Sequence, residues 1–220
     1  MIVYFTRHGE SVFNVADREL RPEPHDGDRL SERGWEQARG LGKRLEDEGI
    51  EAIVASPFGR AQETAQGIGE VLGLTHETDD DLFEVRQSDA YRAASPNYEG
   101  TGHVSWMPNH APEHAEPGAE SFAEIVARVH RVQHRLEQRL ADQRILCVSH
   151  WGFLHFFLGA TIFREAFSPQ HLPALYRISH INTGITLFHH RRDYLIEGVR
   201  FDGWALQTWN ATYGLQGVRY

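Results

Sequence analysis

A histidine beside an arginine, directly after the first apolar stretch, is the clearest candidate for chemistry in this chain. Residues 2–5 are β-branched or aromatic, and residues 7–10 are Arg, His, Gly and Glu. This pattern predicts a buried strand that enters a tight turn, and ligands of open α/β sheets bind at the carboxyl ends of strands. Arg7 would offer a planar fork of donors to phosphate oxygens, His8 a nucleophile, and Gly9 room for close approach. The residues indicate phosphate chemistry, although a solvated strand end can carry the same pair.

Two further apolar stretches, residues 50–55 and 144–149, are also typical of buried strands, and basic residues follow both. The carboxyl ends of parallel strands meet at one edge of a sheet, so four basic residues would gather there: Arg7, His8, Arg60 and His150. Arg60 alone could equally belong to a surface ion pair. Like charges repel at short range, however, so the set of four favours a site that holds an anion.

A phosphate ester also needs an acid to protonate its leaving group, and Glu84 is the candidate. It lies between Phe83 and Val85, apolar neighbours that could raise its pKa. The residue type alone does not decide the matter, because four other acids lie nearby: Glu77, Asp79, Asp80 and Asp81.

Helices with recognisable start patterns alternate with these strands. Ser31 is predicted to cap a helix that ends near Gly49. Ser56 is predicted to cap a second helix, with Pro57 in its first turn. Residues 121–124 match a capping box, which begins a third helix.

Strands that alternate with helices predict an α/β fold, a three-layer α/β/α sandwich with a mainly parallel central sheet. Residues 184–189 and 194–201, joined by the polar residues 191–193, predict a hairpin or sheet edge. Residues 75–119 show no sustained period, and we expect an irregular cap, at about 85–119, inserted over the strand ends.

The composition bounds the class of protein and its partners. The length, with 40% hydrophobic and 24% charged residues, fits one globular domain over residues 1–220. A net charge of -9 argues against nucleic acid as a partner but allows a local positive pocket for a small anion. No apolar run has the length of a membrane span and no signal-peptide pattern is present, so we expect a cytoplasmic protein without a membrane partner. Cys147, the single cysteine, excludes an internal disulfide and is expected to be buried.

In order and spacing, these motifs resemble the histidine phosphatase superfamily, also called the phosphoglycerate mutase-like family. The resemblance covers about two thirds of the chain and rests on residues 7–14, 30–38, 56–64, 82–84, 118–121 and 148–152. It implies a covalent phosphohistidine mechanism in which His8 is the nucleophile and Glu84 is the proton donor. It also implies a phosphate pocket made of three residues: Arg7, Arg60 and His150.

The resemblance assigns supporting roles as well. Asn14 and Ser11 would add hydrogen bonds to the phosphate, and Asn182 would lie near the site, unless it merely caps a turn. His8 must be neutral to attack phosphorus, so we expect a backbone carbonyl to hold one of its ring nitrogens. His150 is expected to be protonated. No metal and no other cofactor are implied.

Within the family, the sequence favours a phosphomonoester hydrolase that acts on a small phosphorylated metabolite. The expected partner is that substrate or inorganic phosphate. Residues 85–92 lack the Arg-Tyr-Tyr-Gly-type helix by which cofactor-dependent mutases resemble one another. A cofactor-dependent phosphoglycerate mutase is one alternative, and a non-catalytic phosphate-binding regulatory module is another. The oligomeric state is left open, with a homodimer among the alternatives.

Overall fold

A computed structural model describes the protein over residues 1–15, 28–89, 111–139, 143–196 and 198–212. Its strands are β1 (Ile2–Arg7), β2 (Ala52–Ala55), β3 (His76–Thr78), β4 (Arg144–Ser149), β5 (Ile185–Ile196) and β6 (Val199–Ala211). They form one sheet in the order β3-β2-β4-β1-β5-β6. The β3, β2, β4 and β1 strands pair in parallel, whereas β5 and β6 are antiparallel. The predicted α/β architecture with a mainly parallel sheet is confirmed.

Helices cover both faces of this sheet. They are α1 (Val12–Val15), α2 (Glu32–Leu45), α3 (Gly59–Leu72), α4 (Phe122–Glu137), α5 (Trp151–Phe163) and α6 (Leu172–Leu175), with short 3-10 turns at Glu46–Glu48, Asp80–Leu82, Arg164–Ala166 and Pro169–His171. Apolar residues of α2 and α3 pack with Tyr4 and Leu146 on one face, and those of α4 and α5 pack with Phe5 and Cys147 on the other. Successive side chains of a strand point to opposite faces, so each central strand serves both cores.

The predicted helix caps are largely present. The Ser31 hydroxyl accepts a hydrogen bond from Gly34 N at 3.1 Å at the start of α2. The capping box of α4 is complete, because Ser121 Oγ accepts from Glu124 N at 3.1 Å and Glu124 Oε2 accepts from Ser121 N at 2.8 Å. Cys147 is buried as expected, and burial raises the pKa of its thiol.

The predicted start of the second helix is wrong. The α3 helix begins at Gly59, with Phe58 and not Ser56 as its N-cap residue. Pro57 and Phe58 form a bend after β2 instead. Ser56 Oγ accepts from Phe58 N at 3.3 Å and lies 2.7 Å from His150 Nε2, so this hydroxyl contacts a predicted site residue.

Two other elements differ from the prediction. The β3 strand lies in a region for which the sequence predicts no regular structure, because its three residues are polar and show no apolar alternation. The hairpin of β5 and β6 is present, but its turn lies at Gly198 (φ 82°) and not at 191–193. Those polar residues instead mark a shift of register inside the hairpin, where Asp193 has a φ of 55°.

The proposed cap at about 85–119 lies largely outside the described residues, since 90–110 are not among them. Its two described ends meet where Asp89 N donates to Pro117 O at 2.9 Å. None of the helices in the described ranges has the combination of length and apolar character needed to cross a bilayer.

Glycines in α2 offer a matched test of how closely the loop after β1 approaches this helix. A Cβ at Gly34 would overlap the carbonyl oxygen of Glu10, whereas a Cβ at Gly40 would meet nothing within 4 Å. We expect Gly34→Ala to lower the free energy of unfolding by about 1 to 3 kcal/mol, the usual cost of overpacking. Gly40→Ala should raise the free energy of unfolding by about 0.5 to 1 kcal/mol, because alanine has less backbone freedom than glycine in the unfolded chain.

Urea unfolding followed by tryptophan fluorescence measures both changes. Equal effects of the two substitutions would contradict the close packing of residues 9–11 on the start of α2.

Candidate active site

The carboxyl ends of β1, β2 and β4 bring the predicted basic residues together. Arg7 pairs with Ser149 in the register of β1 and β4, and His8 N donates to Ser149 O at 3.0 Å. The imidazole rings of His8 and His150, each the first residue after its strand, consequently lie 5.2 Å apart. Arg60 reaches the same edge from the first turn of α3.

The guanidinium of Arg60 lies between the two imidazoles and determines how both are protonated. Arg60 Nε donates to His8 Nε2 at 3.1 Å, and Arg60 Nη2 lies 3.2 Å from His150 Nδ1. A guanidinium can only donate hydrogen bonds, so both of these ring nitrogens must be acceptors. The remaining protons are on His8 Nδ1, which donates to Gly9 O at 2.7 Å, and on His150 Nε2, which donates to Ser56 Oγ at 2.7 Å.

Both histidines are therefore neutral. Burial and the charge of Arg60 lower the pKa of His8 well below its usual value, and the same two causes lower the pKa of His150. The carbonyl predicted to hold one nitrogen of His8 is that of Gly9. The expectation of a protonated His150 is wrong, because its Nδ1 faces a cation and the whole side chain is removed from water.

Arg7 extends the positive edge of the site. Its Nη1 donates to His180 O at 3.1 Å, while its Nε is buried and makes no hydrogen bond within the described part of the chain. Burial lowers the pKa of Arg7, and the neighbouring carboxylate of Glu84 opposes that shift.

Glu84 lies at the N-terminal end of α5. Its Oε2 accepts from Gly152 N at 3.1 Å, and its Oε1 accepts from Phe153 N at 3.1 Å and from Val85 N at 2.8 Å. A Cβ at position 152 would lie 2.7 Å from Glu84 Oε1, which explains the glycine there. Backbone N–H groups at a helix start stabilise a carboxylate.

The other acids considered for this role point elsewhere. Three of them form ion pairs with arginines of α4 or its C-terminal end: Asp81 with Arg131, Asp79 with Arg135, and Glu77 with Arg139. Asp80, the fourth, is exposed. Among these acids only Glu84 is tied to the helix that follows His150.

Asn14, Ser11 and Asn182 support the loop around His8. Asn182 Nδ2 donates to His8 O at 2.8 Å and lies 3.4 Å from Asn14 Oδ1, so it does more than cap a turn. Asn14 Oδ1 also accepts from Ser11 N at 3.1 Å. Thr64 Oγ1 accepts a further hydrogen bond from Gly9 N at 2.9 Å. These contacts hold the backbone of the loop in place.

One acid of the site was missed. Asp28, with 2% of its side chain exposed, places Oδ2 3.8 Å from Arg60 Nη1 and accepts from Phe13 N at 3.2 Å through Oδ1. It belongs to a polar stretch of the sequence, and no feature of that sequence distinguishes Asp28 from the nearby Asp26 as a site residue. Only the folded loop shows that one of these acids faces Arg60.

A cavity of about 540 Å³ between α4, α5 and the hairpin contains none of the site residues described in this section. Its lining includes Gln133, Ile162 and Trp204, so this cavity is separate from the edge of the sheet where His8 and His150 meet. Within the described ranges, no group of three or more His, Cys, Asp or Glu side chains could hold a metal ion.

The neutral state of His150 predicts a specific pH dependence of stability. A histidine with a lowered pKa in the fold binds fewer protons than in the unfolded chain, so stability falls as the pH drops below about 6.5. We expect the wild type to lose about 1 kcal/mol more than His150→Asn between pH 6.5 and 5.5, since one neutral histidine contributes that difference.

Urea unfolding at the two pH values measures this slope. His134→Asn, which removes an exposed histidine of α4, is the matched control. An unchanged slope in His150→Asn would mean that His150 is already protonated in the fold.

Known proteins share sequence and fold with this chain. The family model of the histidine phosphatase superfamily (branch 1) matches residues 3–210. The probable phosphoglycerate mutase GpmB of Yersinia pestis (strain Pestoides F) is 39% identical over 83 residues, which are 38% of this chain. The matched stretch spans only 37% of that relative's length.

Solved structures share the fold over nearly the whole chain. Mycobacterial glucosyl-3-phosphoglycerate phosphatase in complex with VO3 has a TM-score of 0.72 and 25% identity, with 96% of this chain and 99% of that chain covered. Phosphoserine phosphatase from Entamoeba histolytica in complex with 3-phosphoglyceric acid has a TM-score of 0.72 and 19% identity, with 97% and 98% covered. The family model extends over most of the sequence that forms the sheet, its flanking helices and the site, and the chain therefore belongs to the histidine phosphatase superfamily.

Proposed function

We propose that the protein is a phosphomonoester hydrolase that forms a covalent phosphohistidine at His8. The observation that supports this most directly is the state of His8: its Nδ1 proton is bound to Gly9 O, and its Nε2 lone pair is directed at Arg60. A neutral imidazole with one nitrogen fixed and the other unprotonated is the form that attacks phosphorus.

Substrate binding would release that lone pair. Phosphoryl oxygens attract the N–H groups of Arg60 more strongly than imidazole nitrogens do, because the bonds then join opposite charges. The same holds for Arg7, whose Nη1 otherwise donates to a neutral backbone carbonyl. When Arg60 turns its donors to the phosphate, His8 Nε2 is free for in-line attack. The Nε2–P bond forms as the ester P–O bond breaks, and the two guanidiniums stabilise the charge on the equatorial oxygens.

Glu84 would carry the proton in both halves of the reaction. In its protonated form it donates to the departing alkoxide, and as a carboxylate it then accepts a proton from the water that attacks the phosphohistidine. The hydrogen bonds from Gly152 and Phe153 suit the carboxylate form. The Gly9 carbonyl, which accepts from Nδ1, stabilises the positive charge of the phosphorylated ring.

The relatives support a small phosphate ester as the substrate. Glucosyl-3-phosphoglycerate and phosphoserine phosphatases share this fold, and their names describe small phosphorylated molecules. We propose a reaction that requires no metal and no second cofactor. The cytoplasmic location, the single domain over 1–220 and its cap remain predictions. The oligomeric state stays open, with a homodimer among the alternatives.

A phosphoglycerate mutase is the second candidate, since the Yersinia relative carries that name. In that reaction the phosphoryl group on His8 passes to a second substrate hydroxyl and not to water. The protein groups needed at phosphorus are the same, so the acceptor alone separates the two activities.

Loss of the nucleophile is the first test of the proposed hydrolase. Purified protein should release phosphate from an aryl phosphate in the presence of a chelator, and His8→Ala should reduce the rate to the uncatalysed level while leaving thermal unfolding cooperative. Arg60→Ala should retain His8 but lose about 2.7 to 4 kcal/mol of transition-state stabilisation, judged from the removal of similar donors. Phosphate release by His8→Ala at the wild-type rate would exclude the proposed nucleophile.

The choice of acceptor is tested separately. With 3-phosphoglycerate and a catalytic amount of 2,3-bisphosphoglycerate, the hydrolase should release phosphate and form little 2-phosphoglycerate, measured by coupled enolase absorbance. Fast formation of 2-phosphoglycerate, abolished in His8→Ala, would assign the mutase activity to this site instead.

A further inference from the structure

A buried ion pair lies beneath the segment that carries Glu84. Among the described residues, Arg128 of α4 is the bulkiest side chain that is fully buried, with 1% of its surface exposed. Its Nε and Nη2 donate to Glu120 Oε1 and Oε2, both at 2.8 Å. Removing two charges from water is costly, so such a pair needs further hydrogen bonds to be tolerated.

Among the described residues, the further side-chain hydrogen bonds of the pair go to the backbone around Glu84. Arg128 Nη1 donates to Asp81 O at 2.9 Å and to Phe83 O at 2.8 Å. Glu120 Oε2 accepts from Arg86 N at 3.0 Å, and Glu120 N donates to Arg86 O at 3.2 Å. The chain is consequently fixed immediately before Glu84 and two residues after it.

Arg128 also lies close to two aromatic rings whose residues are linked to Glu84. Its guanidinium lies 3.7 Å from the ring centroid of Phe83, the residue before Glu84. It lies 5.2 Å from the ring centroid of Phe153, whose backbone N–H is a hydrogen-bond donor to Glu84. One buried cation thus touches the segment that carries the acid and the helix turn that binds it.

We propose that Glu120 and Arg128 form a positioning pair, which sets the place of the Glu84 carboxyl relative to the leaving-group oxygen. This role rests on the proposed function of Glu84 as the proton donor. Proton transfer needs a heavy-atom distance of about 2.6 to 3.2 Å, so a small shift of the segment removes general acid catalysis without removing the nucleophile.

The same helix supplies a control. Arg131 lies one turn after Arg128 and also binds residue 81, but through its side chain, with bonds of 3.1 and 2.7 Å to the Asp81 carboxylate. The side chain of Arg131 is exposed. Neither of its two bonds to the Asp81 carboxylate involves a backbone group of residues 83–86. Its loss should leave the place of Glu84 unchanged.

The experiment compares two esters that differ in their need for an acid. Phosphoenzyme formation is measured by rapid quench with phenyl phosphate, a poor leaving group, and with 2,4-dinitrophenyl phosphate, whose leaving group needs no proton. Arg128→Lys and Glu120→Gln should slow the reaction with phenyl phosphate about tenfold or more, a part of the usual contribution of general acid catalysis. They should leave the rate with the dinitrophenyl ester nearly unchanged, and Arg131→Met should behave as the wild type with both esters.

Glu84→Gln is the reference variant. It distinguishes failure of the positioning role from failure of the proposed function. It should show the same dependence on leaving group, and adding Glu120→Gln to it should cause no further loss with phenyl phosphate. Equal slowing of both esters in Glu120→Gln, or no slowing, would overturn the positioning role while Glu84→Gln keeps its selective effect. If the wild type forms no phosphoenzyme, the proposed function itself fails. Should Arg128→Lys not fold, Glu120→Gln alone decides the outcome.

Discussion

One guanidinium between two imidazoles is the constraint on which the arrangement of this site depends. Because Arg60 can only donate, it holds His8 and His150 in neutral forms with defined tautomers. Three chain segments must end at the same edge of the sheet for this contact to exist. The parallel register of β1 with β4 and of β4 with β2 provides that edge. Sheet topology thereby determines the protonation state of His8, the proposed nucleophile.

The site around Arg60 contains negative as well as positive side chains, so its charges partly compensate one another. Arg7 and Arg60 bring positive charge, whereas Asp28 and Glu84 lie beside these arginines as counter-charges. Without such acids, two buried guanidiniums and two imidazoles would be costly to bring together. A phosphate that enters the site would offer charged oxygens to Arg60 and Arg7. These would replace the neutral ring nitrogens and carbonyl, and the more distant carboxylate of Asp28, as partners of the two arginines. The pocket can therefore form before its anion arrives and still favour binding it.

Much of the fold, and most residues of the candidate site, could be predicted because they are marked by local patterns in the sequence. The strands before His8 and His150 are apolar runs, and Ser31 and Ser121 precede amphipathic helices as caps. The β3 strand could not be predicted in this way, because a polar edge strand depends on its neighbour for hydrogen bonds. Asp28 and the state of His150 could not be predicted either, because both depend on groups far apart in the chain that meet only in the fold.

The central claim is that the phosphoryl group is carried by His8, and trapping it tests that claim most directly. Protein mixed with a radiolabelled phosphate ester is quenched in alkali during turnover, and the labelled peptide is sequenced. The account predicts label that is stable to alkali, lost in acid, and confined to the peptide that contains His8. Label on a different side chain, or none at a time when phosphate is being released, would contradict it.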